Sequence, residues 1–85
     1  MARPLRIHAP GMLHHVMSRG NDKREMFVDD VDYARYLYLL ERSARRFSVS
    51  VNGYCLMPNH VHLLMRPTVH PLARLMQHVN SAYCG

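Results

Sequence analysis

From Asp29 onward, apolar residues return at helical spacing. Tyr33, Tyr36, Leu37, Leu40, Ala44 and Phe47 follow the i, i+3, i+4, i+7 rule, which predicts an amphipathic helix of about four turns. Asp29 is a natural N-cap, and Asp32 three residues on makes an imperfect capping box. Val28 and Tyr33 then fall at the positions of a hydrophobic staple. Arg35, Arg42 and Arg46 form a separate basic stripe, read either as a solvated face or as a phosphate-binding one. On both sides of this helix the period changes to two. Residues 12–18 alternate, with Leu13, His15 and Met17 on one face and His14, Val16 and Ser18 on the other, predicting a short strand. Residues 48–57 read as a second strand, with Gly53 marking a bulge. Pro58-Asn59 is a turn, and residues 60–66 form a third strand. So short a connection makes the last two an antiparallel hairpin. Pro71 opens a second helix carrying Leu72, Leu75, Met76, Val79 and Tyr83.

The predicted order is β-α-β-β-α, an α+β arrangement. One more strand would complete the split β-α-β, ferredoxin-like pattern, so the expectation is a ferredoxin-like antiparallel sheet one strand short. The 85 residues allow one small domain, 1–85, with a thin core. No run approaches the ~18 apolar residues of a membrane span, and residues 1–10 lack the apolar segment of a secretory signal. Cys55 and Cys84 make no C-x-x-C pair, which excludes a disulfide framework and most zinc ribbons. A reduced, cytoplasmic protein is expected.

Charge narrows the function class. Eleven basic residues against six acidic ones give +5 with His neutral. Lys23 is the single lysine among them, and arginine suits phosphate because its planar fork binds two oxygens at once. A basic, Arg-rich domain points to nucleic acid as readily as to an unspecialised basic fold. His60 and His62 add chemistry. On a strand, residues two apart share a face, so both imidazoles lie on one side with Val61 on the other. That spacing suits two ligands to one cation. Taken alone, it equally describes two histidines on a half-exposed sheet.

The string Leu56-Met57-Pro58-Asn59-His60-Val61-His62-Leu63-Leu64 resembles the signature strand of single-tyrosine HUH transposases. It is most similar to the insertion-sequence two-hundred branch that includes the REP-associated tyrosine transposases. Gly11 to Asn21, with His15-Val16 and Ser18-Arg19-Gly20-Asn21, resembles that family's first strand and loop. Phe27, Asp29-Asp30 and Asp32-Tyr33 resemble the start of its first helix. The likeness spans nearly the whole chain in order. It implies a ferredoxin-like fold, DNA transposition on hairpin or single-stranded DNA, and a divalent metal, Mg or Mn, held by His60 and His62. It also implies cleavage through a 5′-phosphotyrosine link, with homodimers as working units. Arg19, Asn21, Lys23 and Arg24 fall in the loop the resemblance places at the DNA.

One part does not carry over. The family's attacking tyrosine lies beyond a further strand, well past the His-x-His strand, so the sequence looks like the N-terminal part of a transposase. Tyr83 is the one tyrosine on the helix after that strand. Its spacing with Leu72, Met76 and Val79 favours packing, with a substitute nucleophile as the alternative reading. His14 and His15 lie on the predicted first strand, which the resembled fold class places beside the His-x-His strand; one of them could approach a metal there, though surface or core histidines are the simpler reading. Gln77 is a conceivable third ligand; His8, His70 and His78 read most simply as exposed. Two other readings stay open. One is a non-catalytic nucleic-acid-binding module; the other is a small phosphodiesterase that uses water. A sheet edge left open by the missing strand is expected to promote dimers or aggregation.

Overall fold

The first helix begins where its caps say it should. The computed structural model describes residues 10–19 and 25–84. Asp29 Oδ1 accepts from the Asp32 backbone N–H at 3.1 Å, and Asp32 Oδ2 accepts from the Val28 N–H at 2.9 Å. The Asp29 carboxylate therefore serves a donor the helix leaves unpaired, the Asp32 carboxylate holds the residue before the cap, and both face the positive end of the helix dipole. Helix α1 then runs Asp30–Arg46. The staple differs from expectation. Val28 is exposed, and Phe27 takes its place by stacking on Tyr33 with ring centres 4.5 Å apart. The Phe27 and Met26 N–H groups both donate to the Pro58 carbonyl, which turns the segment inward one residue earlier than the staple pattern assumes.

The exit of α1 is a left-handed cap without glycine. The Val49 N–H returns to the Ala44 carbonyl at 2.8 Å and the Ser48 N–H to Arg45 at 3.4 Å, a paired closure that places Ser48 at φ 55. Serine pays a steric cost there that glycine does not. Ser48→Gly is therefore expected to raise stability by about 1 kcal/mol, read as a midpoint shift of about 4–8 °C in thermal unfolding.

Three strands follow the predicted order: β1 (His14–Arg19), β2 (Ser50–Met57) and β3 (His60–Arg66), with α2 over Leu72–Cys84 closing the chain order. The sheet order is β1-β3-β2, and both pairings are antiparallel. Thus β1 and β2 run in the same direction with β3 inserted between them, the arrangement a split β-α-β unit requires. The β2 register slips between Val51 and Gly53, where the sequence pattern places the bulge. The slip lets Val51 face Met65 while Tyr54 and Leu56 face Leu63 and Val61, all on one side.

Both helices cover that side. Val61, Leu63 and Met65 of β3 are fully buried and join Tyr36, Leu40 and Ala44 of α1 and Leu75, Met76 and Val79 of α2 in one core. Arg35, expected on a basic stripe, instead donates to the Ala82 and Tyr83 carbonyls at 3.1 and 3.0 Å and lies over the Tyr83 ring. It satisfies carbonyls in the last turn of α2, where a cation also complements the dipole. His78, expected to be exposed, is half-buried and bonds Ser43 Oγ at 2.7 Å. Tyr36 Oη has no hydrogen-bond partner among the described residues. Burial, then the neighbouring Tyr83 and Cys84, push its pKa up to about 12.

Candidate functional site

Both helices lie on one side; among the described residues no element covers the other side of the sheet, and the strand parity decides what stands there. On β3 the buried residues alternate with His60, His62, Leu64 and Arg66. Residues directly opposite in an antiparallel pair share a face. Arg19 of β1 and Met57 of β2 therefore flank His60, while Met17 and Cys55 flank His62. Met17, Met57 and Leu64 are among the exposed large hydrophobics, so this face is an apolar platform around two imidazoles with Arg19 and Arg66 at its ends. None of the three strands carries an acidic residue. A negatively charged ligand meets no strand-borne carboxylate here.

The imidazoles of His60 and His62 lie with ring centres 4.9 Å apart and planes at 81°. His60 Nδ1 is 2.7 Å from Asn59 Oδ1. A carboxamide oxygen only accepts, so Nδ1 is the donor in this contact, and in the neutral ring that leaves the lone pair on Nε2. His15 also joins the site: its Nε2 is 2.9 Å from His62 Nδ1. Of the two first-strand histidines considered from sequence, it is His15 that reaches the pair. The signal was the alternation that put Leu13, His15 and Met17 on one face; the strand order that makes that face the right one was not readable locally.

The donor set fits a divalent cation of borderline character. Two imidazoles would supply part of a shell, with phosphate oxygens and water suited to the rest. Among the described residues, no group of three or more His, Cys, Asp or Glu side chains is placed to hold a metal ion. Gln77 is exposed on α2, in the helix layer, and does not share the face of His60 and His62.

Arg19 stands on the His face, at the end of β1 beside His60. Asn21, Lys23 and Arg24 lie outside the described residues. Tyr83 is placed elsewhere. Its Oη donates to the Met26 carbonyl at 2.6 Å, and its ring packs on Phe27 and Tyr36 in the helix layer. Burial raises its pKa, Asp32 adds to the rise, and Arg35 opposes it. A hydroxyl that is engaged as a donor and harder to ionise is a poor nucleophile. The other tyrosines are not on this face either. Tyr33, Tyr36 and Tyr38 are on α1, and Tyr54 pairs with Leu63 on the helix side of the sheet. A groove of about 580 Å³ between α1 and β2, lined by Leu37, Leu40, Ala44, Val49 and Val51, is also on that side and carries no part of the imidazole cluster.

The fold and its open face define an α+β domain that presents a His-x-His pair on the uncovered side of a split β-α-β sheet. The chain belongs to the family described as Transposase IS200 like, whose profile matches residues 9–84. Two solved structures share the fold. A REP-associated tyrosine transposase, solved bound to a REP hairpin, superposes with a TM-score of 0.81 at 13% identity, over 98% of this chain and 51% of that one. A candidate transposase from Deinococcus radiodurans superposes with a TM-score of 0.72 at 19% identity, over 96% of this chain and 63% of that one. The chain thus spans about half to under two thirds of the length of these structures. No curated protein matches the sequence. No helix among the described residues is long and apolar enough to cross a membrane.

Proposed function

We propose that this chain binds hairpin or single-stranded DNA through the open face of its sheet, with a divalent cation, Mg or Mn, held by His60 and His62, as part of DNA transposition. The observation that carries the reading is the placement of His60 and His62 beside Arg19 on the exposed face of a sheet whose strands carry no carboxylate, in a member of a transposase family. The REP-hairpin complex of a structural relative supports hairpin DNA as the ligand class. A cation there would offset the charge of a phosphate and align it. The chain's own residues then have distinct tasks. His60 and His62 would hold the cation through ring nitrogens. Arg19, followed in sequence by Asn21, Lys23 and Arg24, contacts the phosphate backbone, which fixes register without reading sequence. Met17, Met57 and Leu64 offer apolar surface to unpaired bases.

Strand cleavage through a tyrosine needs a hydroxyl at this face, and each of the five tyrosines is on the helix side. We propose that the attacking tyrosine comes from outside residues 1–85, and that Tyr83 is a packing residue. The test mixes the 85-residue protein with labelled hairpin-flanked single-stranded DNA, with and without Mn²⁺. Binding is read on a native gel and covalent adducts on a denaturing one. The expected result is Mn²⁺-stimulated binding, reduced at least about 10-fold in His60→Ala and in His62→Ala, with no adduct. Affinity that ignores both Mn²⁺ and the histidines would replace this reading with a non-catalytic nucleic-acid-binding module. Cut DNA without an adduct would point to a hydrolase using water. An adduct lost in Tyr83→Phe would return Tyr83 to the chemistry.

A further inference from the structure

The contact between His15 and His62 has a geometry that fixes more than proximity. The ring nitrogens are 2.9 Å apart, the ring centres 5.1 Å, and the planes differ by 8°. Rings lying one above the other at that nitrogen separation would bring their centres much closer. The centre-to-centre distance is instead what two ring radii add to an in-line N···N contact. The imidazoles therefore lie edge to edge in nearly one plane, and the shared proton sits along the lone-pair direction of both nitrogens. The register explains the reach: His15 is opposite Leu64, and His62 is its diagonal neighbour across β1 and β3.

A neutral imidazole has one N–H and one lone pair, so the contact admits two proton placements. With the proton on His15 Nε2, His62 Nδ1 accepts, and its Nε2 carries the other hydrogen and cannot ligate. With the proton on His62 Nδ1, His15 Nε2 accepts, and His62 Nε2 is left with a lone pair. The second placement matches His60, whose Nδ1–H is taken by Asn59. Both histidines of the pair then present the same nitrogen, each held by a different acceptor.

We propose that His15 is a positioning residue for the cation site: it accepts the His62 Nδ1–H and so fixes the tautomer and ring angle that leave Nε2 free. This rests on the reading of His60 and His62 as cation ligands. Metal-bound histidines generally donate their second N–H to a carboxylate, carbonyl or water. A neutral imidazole in that place orients the ligand without adding negative charge where a phosphate has to sit. His15 is exposed and outside the core, so its replacement leaves folding intact.

Two measurements test the assignment on the 85-residue protein. Long-range ¹H–¹⁵N correlation spectra of the cation-free protein are expected to show His62 as the Nδ1–H form in wild type, and as mainly the Nε2–H form in His15→Leu. Mn²⁺ affinity by electron paramagnetic resonance is expected to fall about 10–100-fold in His15→Leu. It should recover in His15→Gln, whose carboxamide oxygen accepts in the same place, with the circular dichroism of all three proteins alike. A wild-type His62 in the Nε2–H form overturns the inference. So does a His15→Leu protein that binds Mn²⁺ as tightly as wild type while His62→Ala has lost it. A wild type that binds no Mn²⁺ at all overturns the cation reading, and this inference with it.

Discussion

Phe27→Ala is expected to cost about 3–5 kcal/mol, most of the stability a domain of this size has. Phe27 is 2% exposed and stands where three tyrosine rings meet. It stacks on Tyr33, and meets Tyr36 edge-on at 5.4 Å and Tyr83 at 5.7 Å. Each such aromatic pair contributes about 0.5–1.5 kcal/mol beyond the area it buries. The residue also belongs to the segment that ties α1 to the β2–β3 turn, through the Phe27 N–H and the Pro58 carbonyl. Its loss opens a cavity at the joint of both helices and the hairpin. Urea unfolding followed by circular dichroism would show the midpoint drop; Phe27→Leu, which keeps most of the volume, should retain over half the lost stability. A Phe27→Ala protein within about 1 kcal/mol of wild type would mean the aromatic cluster does not anchor the fold.

The second large effect comes from two adjacent leucines. Leu63 is 0% exposed and Leu64 is 40% exposed, because neighbours on a strand point to opposite faces. Leu63→Ala removes core volume between the sheet and the helices and is expected to cost about 2–5 kcal/mol. Leu64→Ala trims the open face and should cost about 1 kcal/mol or less. DNA affinity should sort the other way, with Leu64→Ala weakening it and Leu63→Ala changing it only as far as the protein unfolds. If Leu64 proved the more destabilising, the assigned faces would be reversed and His60 and His62 would lie beneath the helices.

Where the chain's own local chemistry decides, the elements could be read from residues alone. Helix α1 and strand β3 start within a residue of expectation because the Asp29 cap and the Pro58-Asn59 turn act over three or four positions. The shared face of His60 and His62 followed from strand parity, and the bulge at Gly53 from a glycine interrupting a strand. What needed distant partners was not readable in this way. His15 reaches His62 because β3 lies between β1 and β2, a fact of sheet order over 47 positions of separation. Arg35 looked like one member of a surface stripe because its acceptors, the carbonyls at the end of α2, are equally remote. The staple was misplaced by one residue, from Phe27 to Val28, because the pull of the Pro58 carbonyl comes from another element. Tyr83 could be recognised as a packing residue by its spacing, but only the fold shows that it sits across the sheet from His60.

The slip between Val51 and Gly53 leaves Asn52 without a partner on β3. Strand β2 therefore contains one residue of slack in its length. A chain shortened by Asn52 alone would close into an unbroken ladder with Val51, Tyr54 and Leu56 still beneath the helices and Cys55 and Met57 still beside the histidines. Removing any residue from Tyr54 to Leu56 would instead turn part of the strand over. Gaps and insertions among relatives should therefore gather at this one point of β2, where length can change without moving a single side chain across the sheet.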